Sequence, residues 1–80
     1  MPLVNVSMAR GRTPEQKEAM LRAIADAIHD SIGAPHDSIR VWVTEFENTD
    51  FLAGREILAE KQARLAREAA SRQQQGQQQQ

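Results

Sequence analysis

Proline stands directly behind the initiator methionine in the opening stretch MPLVNV. A second residue as small as proline normally permits removal of the methionine, which would leave Pro2 as the amino terminus. A free N-terminal proline is a secondary amine with no amide attached, able to take or give a proton or to attack a carbonyl. Primary α-amino groups titrate at roughly 7.7 to 8.0, and a secondary amine is more basic, so a general base near neutral pH requires burial or nearby positive charge. Arg10, Arg12 and Arg40 are the candidate sources of that charge. A guanidinium binds a carboxylate through paired hydrogen bonds, and its fixed charge disfavours protonation of an adjacent amine. Proline at position two is also common in ordinary proteins, and most arginines are solvated surface residues, so neither feature alone specifies a reaction.

These groups act together only if the backbone brings them together. LVNVSM alternates, with Val4, Val6 and Met8 on one face and Leu3, Asn5 and Ser7 on the other, which is the period of a strand. ARGR follows as a loop. TPEQ then carries a helix start, with Thr13 as N-cap, Pro14 at the first helical position and Gln16 placed to complete a capping box. Met20, Leu21, Ile24, Ala25, Ala27, Ile28 and Ile32 recur at helical spacing, while Glu15, Lys17, Glu18, Arg22 and Asp30 fall mainly outside that stripe. The pattern predicts an amphipathic helix ending near Gly33. Past a turn around Pro35, IRVWVTEF predicts a second strand.

The order β, α, β implies parallel strands joined by a right-handed crossover. Parallel neighbours begin at the same sheet edge, so Pro2 and Arg40 should lie at one end. Arg12 lies beyond the other end, about ten residues away at roughly 3.3 Å per residue, so it can serve Pro2 only from another subunit.

With 80 residues, a formal net charge of -1 and no cysteine, the chain is a small α/β protein with limited means of stabilising itself. His29 and His36 have no spaced partners for a metal site, so no metal or cofactor is expected. One face of a two-stranded sheet would stay open to water, and oligomerisation is the remaining route to stability. No dense basic run suggests nucleic acid, and neither a membrane-length apolar stretch nor a secretory signal is visible, so the expected setting is cytoplasmic. The expected organisation is a β-α-β domain over residues 1–55, a helical extension over 56–71 and a disordered glutamine-rich tail over 72–80. In the extension, Glu56 and Glu60 stand at helical spacing to Lys61 and Arg64.

The pieces PLVNV, GRTPEQK, SIRVWVTE and the phenylalanine of NTDF, at these intervals, resemble the 4-oxalocrotonate tautomerase family over Pro2 to about Gly54. The resemblance implies small β-α-β subunits assembled as a hexamer, a trimer of dimers, with sites shared between subunits. It implies an isomerase needing no cofactor, with Pro2 as general base moving a proton between the enol oxygen and a carbon of a 2-hydroxy-dienoate such as 2-hydroxymuconate. Arg12 would bind the remote carboxylate, Arg40 the nearer carboxylate and the 2-oxygen, and Phe51 would supply an apolar wall. Arg10 would add a third positive group. Trp42, on the strand face of Arg40 and Thr44, would be a subunit-packing residue or a substrate contact. AGREIL keeps only Gly54 where relatives carry a glycine-rich hairpin, which leaves that hairpin open.

Related subunits of the same superfamily hydrate 3-haloacrylates or decarboxylate a 3-oxo acid, with a protonated proline as acid. Asp50 and Glu47 are the candidates for a water-activating carboxylate in that reading, against a plain turn role. A non-catalytic structural oligomer is a further alternative, and it would follow if Met1 were retained, since an acylated Pro2 has no free amine.

Overall fold

The computed structural model describes residues 1–78, with side chains through Arg72. Strand β1 (Leu3–Ala9) leads to helix α1 (Pro14–Ile32), a 3-10 turn (His36–Ser38) and strand β2 (Arg40–Phe46). A second 3-10 turn (Asn48–Asp50), short strands β3 (Leu52–Ala53) and β4 (Glu56–Ile57), and helix α2 (Leu58–Gln78) follow. The chain divides into two compact units, Met1–Phe46 and Glu47–Gln80. Residues 47–55, which the sequence reading sets with the β-α-β domain, thus group with the C-terminal helix.

In the first unit β1 and β2 are parallel, with Leu3 opposite Arg40, Asn5 opposite Trp42, Ser7 opposite Thr44 and Met8 opposite Glu45. Alternation along both strands turns Val4, Val6, Met8, Val41, Val43 and Glu45 to the covered face and leaves Leu3, Asn5, Ser7, Arg40, Trp42 and Thr44 exposed. Leu3 is 62% and Trp42 44% exposed, and Ile39, at 8%, is the buried hydrophobic residue of the described chain. Such a core is too small to account for a stable isolated subunit.

Helix α1 begins as its sequence dictates. The Gln16 amide donates to Thr13 Oγ1 at 3.1 Å and the Thr13 amide donates to Gln16 Oε1 at 2.9 Å, so both halves of the capping box form. The helix ends at Gly33, whose φ of 75° is left-handed and whose amide donates to the His29 carbonyl. Met20, Leu21, Ile24, Ala25 and Ile28 are half-buried, whereas Ala27 and Ile32 of the expected stripe are exposed. Lys17 departs the other way. It is half-buried, because it lies three and four residues before Met20 and Leu21 on the same helix face. Replacing Thr13 by alanine is expected to destabilise the protein by about 1 kcal/mol in urea unfolding at fixed protein concentration, since one orphan amide of the first turn loses its acceptor.

In the second unit the hairpin left open by the sequence does form, with Leu52 opposite Ile57 and Ala53 opposite Glu56. A single glycine suffices. Gly54 takes φ 67° and Arg55 needs no positive φ, the sign pattern of a type II′ turn, which asks for glycine only at its first central position. The strand takes up Glu56 and Ile57, so α2 starts at Leu58 rather than at 56. Its first turn is held by the Ile57 amide donating to Glu60 Oε1 at 2.9 Å, and the Leu58 amide donates to the Phe51 carbonyl at 2.8 Å. Arg64 bridges Glu56 and Glu68, each at 3.1 Å. The hydrogen bond from Arg64 holds the Glu56 carboxyl below its ordinary range. The helix extends to Gln78, across most of the stretch expected to be a disordered tail, and residues 79 and 80 of that tail lie outside the described residues. No helix among the described residues is long and apolar enough to cross a membrane.

Candidate active site

The parallel pairing brings Pro2 and Arg40 together. The Arg40 amide donates to the Pro2 carbonyl at 3.0 Å, one step before the Leu3–Arg40 register pair. Pro2 is half-buried at the sheet edge. The Arg40 guanidinium donates through one nitrogen to the Asp37 and Ile39 carbonyls, so the 3-10 turn before β2 steadies this cation without neutralising it.

Arg12 lies at the opposite end of β1. Seven residues of strand intervene, roughly 23 Å at 3.3 Å per residue, so Arg12 does not meet Pro2 of its own chain. It lines a groove of about 240 Å³ with Met8, Gln16, Lys17 and Met20. Gly11 before it has φ 136°, which only glycine adopts freely, and Thr13 after it is the N-cap, so its backbone is held on both sides. Among the described residues neither Arg12 nor Arg40 forms an ion pair with a carboxylate. Two guanidinium groups without an internal counter-ion suit anionic ligands.

Arg10 lies at the Arg12 end, where its amide continues the ladder by donating to the Phe46 carbonyl at 2.9 Å. Trp42 is on the exposed face with Arg40, next to Thr44, whose hydroxyl donates to Asn5 Oδ1 at 3.1 Å. Phe51 belongs to the second unit, where it precedes β3 and is 40% exposed. In the same unit the Asp50 amide donates to the Glu47 carbonyl, the turn role expected of this stretch.

Two features escaped the sequence reading. The His29 and His36 rings stack with centroids 4.3 Å apart, and His36 Nε2 lies 3.0 Å from Asp26 Oδ1. His29 Nδ1, 2.8 Å from the Ala34 carbonyl, must carry a proton there, because a carbonyl only accepts. Lys17 Nζ also pairs with Glu45 Oε1 at 3.2 Å across the helix-sheet interface, a partnership spanning 28 positions that no local pattern reveals.

The profile of the family described as Tautomerase enzyme matches residues 2–68, a span that includes Pro2, Arg12, Arg40 and Phe51. The chain belongs to the 4-oxalocrotonate tautomerase family. Among tautomerase relatives, a 2-hydroxymuconate tautomerase from Pseudomonas putida is 39% identical over 57 residues, covering 71% of this chain and 90% of the relative. A probable tautomerase from Bacillus cereus is 36% identical over 61 residues, covering 76% of this chain and all (100%) of the relative. The crystal structure of TomN, a 4-oxalocrotonate tautomerase homologue of the tomaymycin biosynthetic pathway, superposes with a TM-score of 0.75 at 32% identity, over 78% of this chain and 95% of that one. A heterohexameric 4-oxalocrotonate tautomerase from Chloroflexus aurantiacus gives a TM-score of 0.72 at 30% identity, over 75% and 97%. The parallel β-α-β unit is thus the tautomerase fold. Matched near their full length, these tautomerase relatives cover about three quarters of this chain (76% and 78%).

Proposed function

We propose that this tautomerase-family chain interconverts the enol and keto forms of a 2-hydroxy-dienoate dicarboxylate such as 2-hydroxymuconate. The supporting observation is the 3.0 Å hydrogen bond from the Arg40 amide to the Pro2 carbonyl, which pairs the backbone of a cationic residue with the strand start where Met1 removal would expose a secondary amine. A neutral Pro2 nitrogen takes the proton of the enol hydroxyl. The electrons of that O–H bond form the carbonyl, the conjugated double bonds shift along the chain, and the distal carbon receives the proton back from Pro2. Arg40 binds the nearer carboxylate and the oxygen on which charge develops, and its own charge favours the neutral amine.

Arg12, stranded at the other end of its own β1, binds the remote carboxylate of a substrate held by another subunit. The exposed face carrying Leu3 and Trp42 is where a second copy covers the sheet, and the expected assembly is a hexamer. To Phe51 we assign the role of an apolar wall that lowers the local dielectric, to Arg10 that of a further positive group, and to Trp42 packing between subunits.

The direct test is ketonisation of 2-hydroxymuconate, followed by ultraviolet absorbance, with intact mass establishing that Met1 is absent. Turnover by the methionine-free oligomer and none by a methionine-retaining preparation is the expected result. Inactivity of a correctly processed oligomer would instead favour the hydrating or decarboxylating relatives.

A further inference from the structure

We propose that Lys17 is a positioning residue that keeps Arg12 available to substrate by occupying the Glu45 carboxylate. The inference rests on the reading of Arg12 as the anchor for a remote carboxylate. Arg12 and Lys17 line the same groove, together with Met8, Gln16 and Met20. Glu45 is the register partner of Met8 on the covered face of the sheet, so a carboxylate stands on the strand beside the groove wall. Lys17 Nζ reaches Glu45 Oε1 at 3.2 Å, and the two side chains are only 27% and 24% exposed, against 38% or more in the Arg22, His36 and Arg64 pairs.

A sheltered carboxylate that loses its partner keeps its desolvation cost and recruits whatever cation is within reach. Arg12, which shares the groove with Lys17, is the cation this proposal assigns to that carboxylate. It directly precedes the N-cap Thr13, whose carbonyl accepts the Lys17 amide at 3.0 Å, so both cations are carried on one turn. Of the carboxylates early in α1, Glu18 is engaged by Arg22 at 2.8 Å and Glu15 is exposed to solvent, which leaves Glu45 as the sheltered competing sink. With Lys17 in place Arg12 forms no ion pair among the described residues, and its guanidinium can meet an incoming carboxylate. Without Lys17 the guanidinium would turn to Glu45 and be quenched.

The test is a double-mutant cycle in the full-length, methionine-free protein. Lys17→Met keeps the apolar stem and removes the charge, and it should raise KM for 2-hydroxymuconate roughly tenfold with kcat within about twofold. KM for a monocarboxylate enol such as phenylenolpyruvate, which has no remote carboxylate for Arg12, should stay unchanged. Adding Glu45→Gln to Lys17→Met should restore KM, because the competing carboxylate is gone. Equal losses on both substrates, or no rescue in the double variant, would show a merely structural role and overturn the proposal.

Lys17→Arg, which retains the pairing, guards against a folding defect: it should behave as the unmodified protein, and a tenfold rise in its KM counts against the idea. A readout independent of turnover is the Arg12 Nε–Hε resonance. It should move downfield in Lys17→Met and return in the double variant, and a resonance that does not move refutes the switch. If the unmodified protein fails to ketonise 2-hydroxymuconate, the proposed reaction falls while this resonance still decides the role of Lys17.

Discussion

Pro2→Ala protein, freed of Met1 and correctly assembled, is expected to lose about 10² to 10⁴ in kcat on 2-hydroxymuconate, with KM changed by no more than a few fold. Alanine at position two still permits methionine removal, so the variant presents a primary amine on the same strand. Any residual activity then reports what that weaker, differently placed base can do. Arg40 keeps its carbonyl contacts at Asp37 and Ile39, and Arg12 keeps its groove, so the carboxylate anchors survive the change. The split between kcat and KM is therefore the informative quantity. A variant as fast as the parent would make the proline incidental and put the catalytic base elsewhere in the oligomer. A loss confined to KM would mean that Pro2 shapes the site without carrying the proton.

The second large effect is expected at the exposed sheet face. Trp42, 44% exposed and opposite Asn5, stands in the middle of that face, with Leu3 at 62% near its edge. Trp42→Glu would place a carboxylate where the proposed assembly buries apolar surface against a second copy, and an unpaired buried charge costs several kcal/mol. Light scattering should show subunits in place of the proposed hexamer at micromolar protein. Turnover should fall by more than about a hundredfold, since a lone subunit cannot bring Arg12 to Pro2 across the length of β1. Trp42→Leu, which keeps an apolar surface, should remain assembled. If Trp42→Glu assembled normally and changed only KM, Trp42 would be a substrate contact and the covered face would lie elsewhere.

The elements that position the proposed site were legible because their signals are local. The capping box of Thr13 and Gln16 and the left-handed Gly33 both operate within a few residues, and strand alternation needs only a period of two. Pro2 and Arg40 come together for a reason equally visible in the chain, since a helical crossover between two strands makes them parallel and aligns their starts. The hairpin was less legible. Glycine count is a poor guide where one glycine at the first turn position meets the whole conformational requirement. The start of α2 was misplaced by two residues because Glu56 and Ile57 have neighbours that suit a helix, while the antiparallel partner that claims them, Leu52–Ala53, lies across the turn.

By itself the sequence determined the β-α-β order, the boundaries of α1, the pairing of the Pro2 and Arg40 ends and the separation of Arg12 from both. Each of these follows from short-range backbone rules and chain geometry. Only the tertiary structure decided that Lys17 turns inward to Glu45, that His29 and His36 stack beside Asp26, and that Leu3 and Trp42 share the uncovered face. Which face a helix covers depends on the sum of contacts between distant segments. A lysine near an apolar stripe reads as solvated until the carboxylate that receives it, 28 positions away, is in view.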